Sequence, residues 1–470
     1  MSSDTGKSDH DASRGGGVSR REFLKIVGLT GAAVGLGAGL GGLAAACGED
    51  ADSTATTASG TSVSTSAERG RDIKFGVVCP QTGPLAPFAS GVNWSMERVS
   101  QYLPQGIVTG DGIQRKITFI KKDTQSDTNR AATITGDLIQ TDNVDIVLSS
   151  GGPDTVNPAA DVCESMGCPS LCSASVWQAF YYDRKPPQEG FKWTYGSLLG
   201  SEQSIANFAQ MFDQIPNNKI VGMLLPNDAD AAGWMKPEAA PAVFKSKGYT
   251  LIEPSWYTSG AEDYTTQISE FKKAGCEIIC GTNTAPDFTN FWKQAIQQGF
   301  RPKLVSTGRA LLYPEALEAI GPVGYGLIGE VGWHRSFPYK DSITGQTAED
   351  LALDYEAKTG RASNTGITGM YQVIEWAIDV FKRATKPEDK ESVVKAITST
   401  KMVTTCGGID FTAKVDPDGW RPVPNVVRTV LCGGQWVKGT KYQFANVICS
   451  NAWAPEVTVQ RKVEPMKYTS

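Results

Sequence analysis

Nucleophiles are plentiful in this 470-residue chain, but bases to activate them are scarce. It carries ten cysteines and only two histidines, His10 and His334. A Ser–His or Cys–His pair would therefore depend on one histidine outside the N-terminal leader described below. The nearest thing to a nucleophile elbow is Gly196-Ser197-Leu198-Leu199-Gly200, which puts the serine in the wrong place for G-x-S-x-G. Histidine, the usual partner of cysteine in mixed zinc sites, is nearly missing, which makes zinc improbable. No metal, cofactor or enzymatic activity is expected. The spacing Gly37-Ala38-Gly39-Leu40-Gly41-Gly42 fits G-x-G-x-x-G, but follows no strand and opens no amphipathic helix, so it is not a dinucleotide loop. Charge is mildly acidic, 45 basic against 50 acidic residues, with no basic stripe, so nucleic acid is not an expected partner.

One cysteine does have a chemistry written around it. Ser19-Arg20-Arg21-Glu22-Phe23-Leu24-Lys25 is an arginine pair followed by large apolar residues. An apolar Gly/Ala/Leu run, Ile26 to Ala46, follows and closes on Leu43-Ala44-Ala45-Ala46-Cys47. Charged n-region, apolar h-region and small residues before a cut make a signal peptide. The arginine pair resembles a twin-arginine export signal. The small residues before Cys47 resemble a bacterial lipobox, although Leu43 stands one position early. The competing reading is an uncleaved membrane anchor, since the run is long enough to span. Dense glycine disfavours that helix. Residues 1–46 are expected to be removed, and Cys47 to carry lipid. Residues 47–71, rich in Ser, Thr, Ala and Gly, form a tether with a reach of roughly 25–30 Å.

Strand and helix then alternate. Short apolar strands are expected at Ile73–Cys79, Ile117–Lys122, Val144–Leu148, Pro169–Cys172, Lys219–Leu225, Thr250–Glu253, Glu277–Cys280 and Lys303–Ser306. Amphipathic helices separate them, which indicates parallel sheets built from βαβ units. Two such sets suggest two doubly wound lobes, with ligands beyond the carboxyl ends of the strands. Helices at Glu349–Lys358, Tyr371–Arg383 and Glu391–Thr398 precede β-like segments from Gly408 onward. That last third is either a third domain or a segment crossing back between the lobes. Nine cysteines remain beside Cys47. Cys163, Cys168 and Cys172 can supply one bridge, and Cys406, Cys432 and Cys449 another. Cys280 reads as an inert core thiol.

Several segments in order carry a resemblance. They are Ile73-Lys74-Phe75-Gly76-Val77-Val78, Gln81-Thr82-Gly83-Pro84-Leu85-Ala86, Val147-Leu148-Ser149-Ser150-Gly151-Gly152 and Pro169-Ser170-Leu171-Cys172-Ser173-Ala174-Ser175. Lys219-Ile220-Val221-Gly222-Met223-Leu224-Leu225, Asp228-Ala229-Asp230-Ala231-Ala232-Gly233 and Gly408-Ile409-Asp410-Phe411 continue the series. Over about 72–450 the chain resembles the leucine/isoleucine/valine-binding family, the solute-binding lipoproteins of branched-chain amino acid and amide ABC importers. The resemblance implies an α/β fold of two doubly wound parallel-sheet lobes joined by three hinge crossings, the type I periplasmic binding fold. Lobe 1 would be 72–195 plus 336–408, and lobe 2 would be 196–335 plus 409–470. Hinges are expected near Trp193–Gly196, Trp333–Ser336 and Gly408–Asp416.

The resemblance also implies a ligand site. Phe88 takes the place of an aromatic wall. Ser150, Gly151, Ser173, Ala174 and Ser175 match positions that hold a ligand's polar head, where short hydroxyls and amides converge. In the second lobe a tyrosine is replaced by Ala231-Ala232-Gly233 with Trp234 next. The acidic partner of a ligand ammonium is replaced by Thr307-Gly308-Arg309, with Glu315 the next acid. Arg309 favours a carboxylate or a π-face. Trp177 and Trp333 are the further aromatic candidates. From the missing acid and from Arg309, the ligand is expected to be an apolar or aromatic acid or amide rather than a plain α-amino acid. The expected role is an extracytoplasmic, membrane-anchored monomer that hands a small organic molecule to ABC permease subunits. The alternative is a ligand sensor of the same fold.

Overall fold

The computed structural model describes residues 68–237, 239–253 and 256–468. Cys47, the arginine pair and nearly all of the tether lie outside these.

Burial on both faces turns the apolar runs into parallel strands. The first sheet has the order Val426–Arg428, Thr194–Leu198, Ser170–Ser173, Ile146–Ser150, Ile73–Cys79, Ile117–Asp123, all parallel. The second has Leu304–Val305, Ile278–Asn283, Ile220–Leu224 and Thr250–Ile252, also parallel. An antiparallel sheet of Ile328–Val331, Cys432–Lys438 and Phe444–Ser450 is linked to it through a bridge from Ser306 to Ile328. Helices cover these sheets, including Thr128–Gln140, started by the Asp127 carboxylate accepting from Arg130 N (2.7 Å). Gly366–Arg383 is buried along nearly its whole length and packs on the first sheet. Among the described residues no helix is long and apolar enough to cross a membrane.

The chain crosses between the sheets three times. Thr194–Leu198 belongs to the first sheet, and the next helix, Ser201–Phe212, packs on the antiparallel strands of the second body. The chain returns after Val331, since helix Ala348–Thr359 buries its face in the core of the first lobe. The last crossing corrects the expectation that everything from 409 belongs to lobe 2. Lys401–Thr404 and Gly407–Asp410 form a hairpin, after which Val426–Arg428 joins the edge of the first sheet beside Gly196–Leu198. Asn425 fixes that return: its Oδ1 accepts from Phe191 N (2.8 Å), and its Nδ2 donates to Phe191 O and Thr194 O (2.7 and 2.9 Å). The crossing therefore lies at Thr429–Leu431, and the first at Leu199–Gly200.

All nine described cysteines are buried free thiols, so neither expected bridge is formed. Burial pushes the Cys280 thiol up to about 12, as befits a core group.

Candidate functional site

The loops at the carboxyl ends of the two parallel sheets face each other. Strand Ile146–Ser150 runs into Gly151 and Gly152, then helix Pro153–Met166 with proline at its first position. Gly151 has φ 134°, and a Cβ there would sit 2.5 Å from Pro80 Cδ. Strand Ser170–Ser173 ends in Ala174, held at φ 50°, whose carbonyl accepts from Gly152 N at 2.9 Å. These two turns fix the positions of Ser175 and of the first peptide of the facing helix.

Two adjoining cavities, of about 40 and 20 Å³, lie between the lobes and share Phe88, Ala174, Leu199 and Leu312. Phe88, on the short 3-10 turn Ala86–Ala89, meets Tyr313 of the opposite lobe edge to face at 5.2 Å. With Leu85 and Leu312 they make a small apolar cluster against Ala174. The larger cavity continues past Ser173 toward Gln372, whose Nε2 donates to Ser197 Oγ (2.8 Å).

The smaller cavity has an acidic second-lobe wall. Asp230, Thr282, Arg309 and Glu330 line it with Trp234. Asp230 is 2 % exposed; its Oδ2 accepts from Thr282 Oγ1, and its Oδ1 has no hydrogen-bond partner. Burial pushes its carboxyl up to about 6, with Arg309 opposing and Asp228 adding to the rise. Glu330, in the apolar strand Ile328–Val331, is pushed up to about 7 by burial, although it accepts from Ser204 Oγ and from Arg309 N. Arg309 stands at φ 53° among carboxylates: Nη2 to Asp228 Oδ2 at 2.6 Å, Nε to Asp230 Oδ2 at 3.1 Å, Nη1 to Asp154 Oδ2 of the first lobe at 3.9 Å. Burial opposes its charge, and Asp230 and Asp228 outweigh that. One guanidinium thus stands against three aspartates and a glutamate.

The structure brings Phe88, Ser173, Ala174, Ser175, Trp234 and Arg309 together around the cavities. Ser173 Oγ already donates to Gly369 O (2.7 Å), whereas Ser175 Oγ is buried without a partner. Ser150 and Gly151 stand behind the lining, with Ser150 Oγ also unpartnered. Two tryptophans lie elsewhere. Trp177 donates from Nε1 to Glu202 Oε1 (3.0 Å) and faces Arg428 at 5.4 Å, in the network that ties the first and third crossings. Trp333 lines a separate chamber. Asp230 and Glu330 are not among the site residues expected from the sequence. The first was visible as an acid in a landmark segment, and the second as a carboxylate in an apolar strand. The ground for excluding an amino-acid ligand is therefore overturned: acids line the cavity, and Arg309 is already paired.

The sequence profile of the periplasmic binding proteins matches residues 72–423. A Leu/Ile/Val-binding protein homolog 7 of Brucella abortus (strain 2308) is 22 % identical over 383 residues, covering 78 % of this chain and 90 % of that protein. Among solved structures, the leucine-binding protein LivK of Thermotoga maritima superposes with TM-score 0.64 at 18 % identity, over 80 % of this chain and 97 % of its own. A solute-binding protein from Rhodopseudomonas palustris BisB5, in complex with 3,4-dihydroxybenzoic acid, gives 0.62 at 17 %, over 82 % and 99 %. With three quarters of its length in that profile and two parallel-sheet lobes closing on a lined cavity, the chain belongs to the periplasmic binding protein family.

Proposed function

We propose that this chain is the solute-binding component of an ABC importer and that its ligand is a zwitterion of the α-amino acid type with an apolar or aromatic side chain. The observation that carries this reading is the buried Asp230 carboxylate, with one oxygen unpartnered, on the wall of a cavity between the lobes. Arg309 shares its one charge among Asp228, Asp230 and Asp154, so the wall keeps an excess of carboxylate that a ligand ammonium offsets. Across the cavity, Ser175 Oγ, buried without a partner, offers a donor to a carboxylate. Phe88, Tyr313 and Leu312 receive the side chain. Contacts drawn from both lobes favour the closed form, and that differential affinity is what shifts the population toward it. The relatives named for leucine and branched-chain amino acids agree with this reading.

Competition by calorimetry tests it: leucine and phenylalanine should bind, and acetylation of their amines should remove binding. Ser175→Ala should weaken leucine by roughly ten- to a hundredfold, the effect of losing a hydrogen bond to a charged group. An unchanged affinity would take Ser175 out of the site.

Titration behaviour follows from the same groups. Asp230 is pushed up to about 6 and Glu330 to about 7, so both carboxylates gain protons as pH falls through that range. The ligand ammonium keeps its charge throughout. Affinity should therefore rise between about pH 5 and about pH 8 and then level off, and binding inside that window should release protons. Calorimetry in buffers of different ionisation enthalpy reads the release. Proton uptake on binding would contradict the assignment.

The anchoring belongs to the same proposal. Cleavage before Cys47 and lipidation there would leave the body on a short tether at the outer face of the membrane. Cys47→Ser should move the protein from the membrane to the soluble fraction. Arg20→Lys with Arg21→Lys should retain the precursor inside the cell, and normal export of that double variant would refute the twin-arginine route.

A further inference from the structure

The two lobes also meet at a rim away from the crossings. Strand Ile73–Cys79, which leads into the Phe88 turn, lies three strands from Thr194–Leu198, the strand that enters the first crossing. At the usual spacing between strands this is a lever of about 14 Å. Rotation of the lobes about the crossings therefore moves this rim further than residues beside the hinge.

On the first lobe the rim is the loop 360–365, which follows helix Ala348–Thr359. The loop rests on the Phe88 turn: Gly366, directly after it, has no room for a Cβ, which would sit 2.2 Å from Ser90 Oγ. On the second lobe the rim is helix Pro314–Ile320 and the hairpin between Cys432–Lys438 and Phe444–Ser450. Tyr313, which meets Phe88 across the lobes, directly precedes that helix.

Two ion pairs of opposite polarity bridge the rim. Arg361 Nη2 of the first lobe stands 3.3 Å from Glu315 Oε1 of the second. Glu315 Oε2 is buried without a partner, and Arg361 is the one cation this carboxylate meets among the described residues. In return, Lys441 Nζ on the hairpin of the second lobe reaches Glu356 Oε2 of the first at 2.9 Å. Glu356 Oε1 accepts from Arg335 Nη2 and from Ser363 Oγ, both at 3.0 Å, so the carboxylate is held in place for Lys441. Each lobe thus presents one cation and one anion, and the cation of each faces the anion of the other. Charges set out in this way attract in one register only. Arg361 and Glu315 line none of the cavities between the lobes.

We propose that Arg361 and Glu315, with Lys441 and Glu356 beside them, form a latch that populates the closed form before any ligand arrives. They are positioning residues, acting on affinity through the lobe equilibrium rather than by touching the ligand. Where only part of a protein occupies the binding-competent form, the apparent Kd is raised by that fraction. The latch therefore sets affinity from outside the site.

Small-angle scattering of the purified, ligand-free protein reads the lobe equilibrium directly. Arg361 is 55 % exposed, so its replacement leaves the core intact. Arg361→Gln should raise the radius of gyration, and Arg361→Glu, which sets like charges opposite each other, should raise it further. The double variant Arg361→Glu with Glu315→Arg should return it to the parent value, which a merely structural loss would not do. An exposed ion pair shifts an equilibrium by roughly 1.5- to fivefold. Arg361→Gln should lower the ratio of closed to open protein by that factor, and leucine affinity by no more than that. Salt at about 1 M, where the Debye length is about 3 Å, should open the parent more than Arg361→Gln. Melting curves check that every variant is folded. Equal radii for the parent and Arg361→Glu, or a double variant no more closed than Arg361→Glu, would overturn the proposal. The affinity measurement alone rests on the amino-acid reading of the cleft. Absence of leucine binding with the scattering shifts intact would count against that reading and leave the latch standing.

Discussion

Asp230→Asn should raise the leucine Kd by roughly thirtyfold or more, the loss of about 2–5 kcal/mol that follows truncating one partner of a buried charge pair. The reason is geometric. Asp230 Oδ1 is the unpartnered carboxylate oxygen of a residue that is 2 % exposed and lines the cavity. An asparagine there can still accept from Thr282 Oγ1, so the wall keeps its shape and only the charge is lost. Arg309 retains Asp228 at 2.6 Å, which keeps the guanidinium paired. The pH dependence near 6 should shrink in the same variant, because its main titrating group is gone. Calorimetry at about pH 8 measures the affinity loss, and an unchanged Kd would remove Asp230 from the site.

Arg98→Met should destabilise the protein by about 3–5 kcal/mol, the cost of breaking a buried ion pair by removing one partner. Arg98 is fully buried on helix Val92–Tyr102, directly after the turn that carries Phe88. Its Nη2 reaches Asp341 Oδ2 at 2.9 Å, its Nη1 reaches Asp354 Oδ2 at 3.3 Å, and its Nε donates to Tyr371 Oη at 3.0 Å. Without it, the equally buried Asp341 carboxylate loses its cation. The double variant Arg98→Met with Asp341→Leu should recover part of the loss, because it leaves no charge unpaired. Urea midpoints of the two variants measure both effects. A single variant as stable as the parent would show that the network adds nothing.

Much of the scaffold was legible because its signals are local. Ile73–Cys79 is apolar apart from Lys74 and is otherwise buried, and Pro80 ends it, so its bounds agree with the sequence. Helix Thr265–Ala274 ends at Gly275 with φ 69°, a stop written in the residue itself. The edge strand Val426–Arg428 was not legible: three residues carry no periodicity, and their pairing depends on Asn425 meeting Phe191 and Thr194 across the fold. The first-lobe turns were legible for the same reason as the strands, since Ser173-Ala174-Ser175 and Gly151-Gly152 stand at strand ends. The second-lobe wall was not. Arg309 looked free because its partners Asp228 and Asp154 are remote in sequence, and only the fold brings them to 2.6 and 3.9 Å. Trp177 and Trp333 lie near the cleft in sequence, and yet the first side chain turns to Glu202 and the second to another chamber.

In the proposed function the buried acids of the second lobe recognise a ligand's ammonium. Leucine and 4-methylpentanoate differ in that one group and share the carboxylate and the branched tail. Calorimetric titration of both into the purified protein at about pH 8 separates them directly. A saturable leucine isotherm is expected and, for 4-methylpentanoate, binding weaker by roughly a hundredfold or none, since that acid adds a negative charge beside a wall whose carboxylates already outnumber Arg309. Equal or tighter binding of 4-methylpentanoate would contradict it.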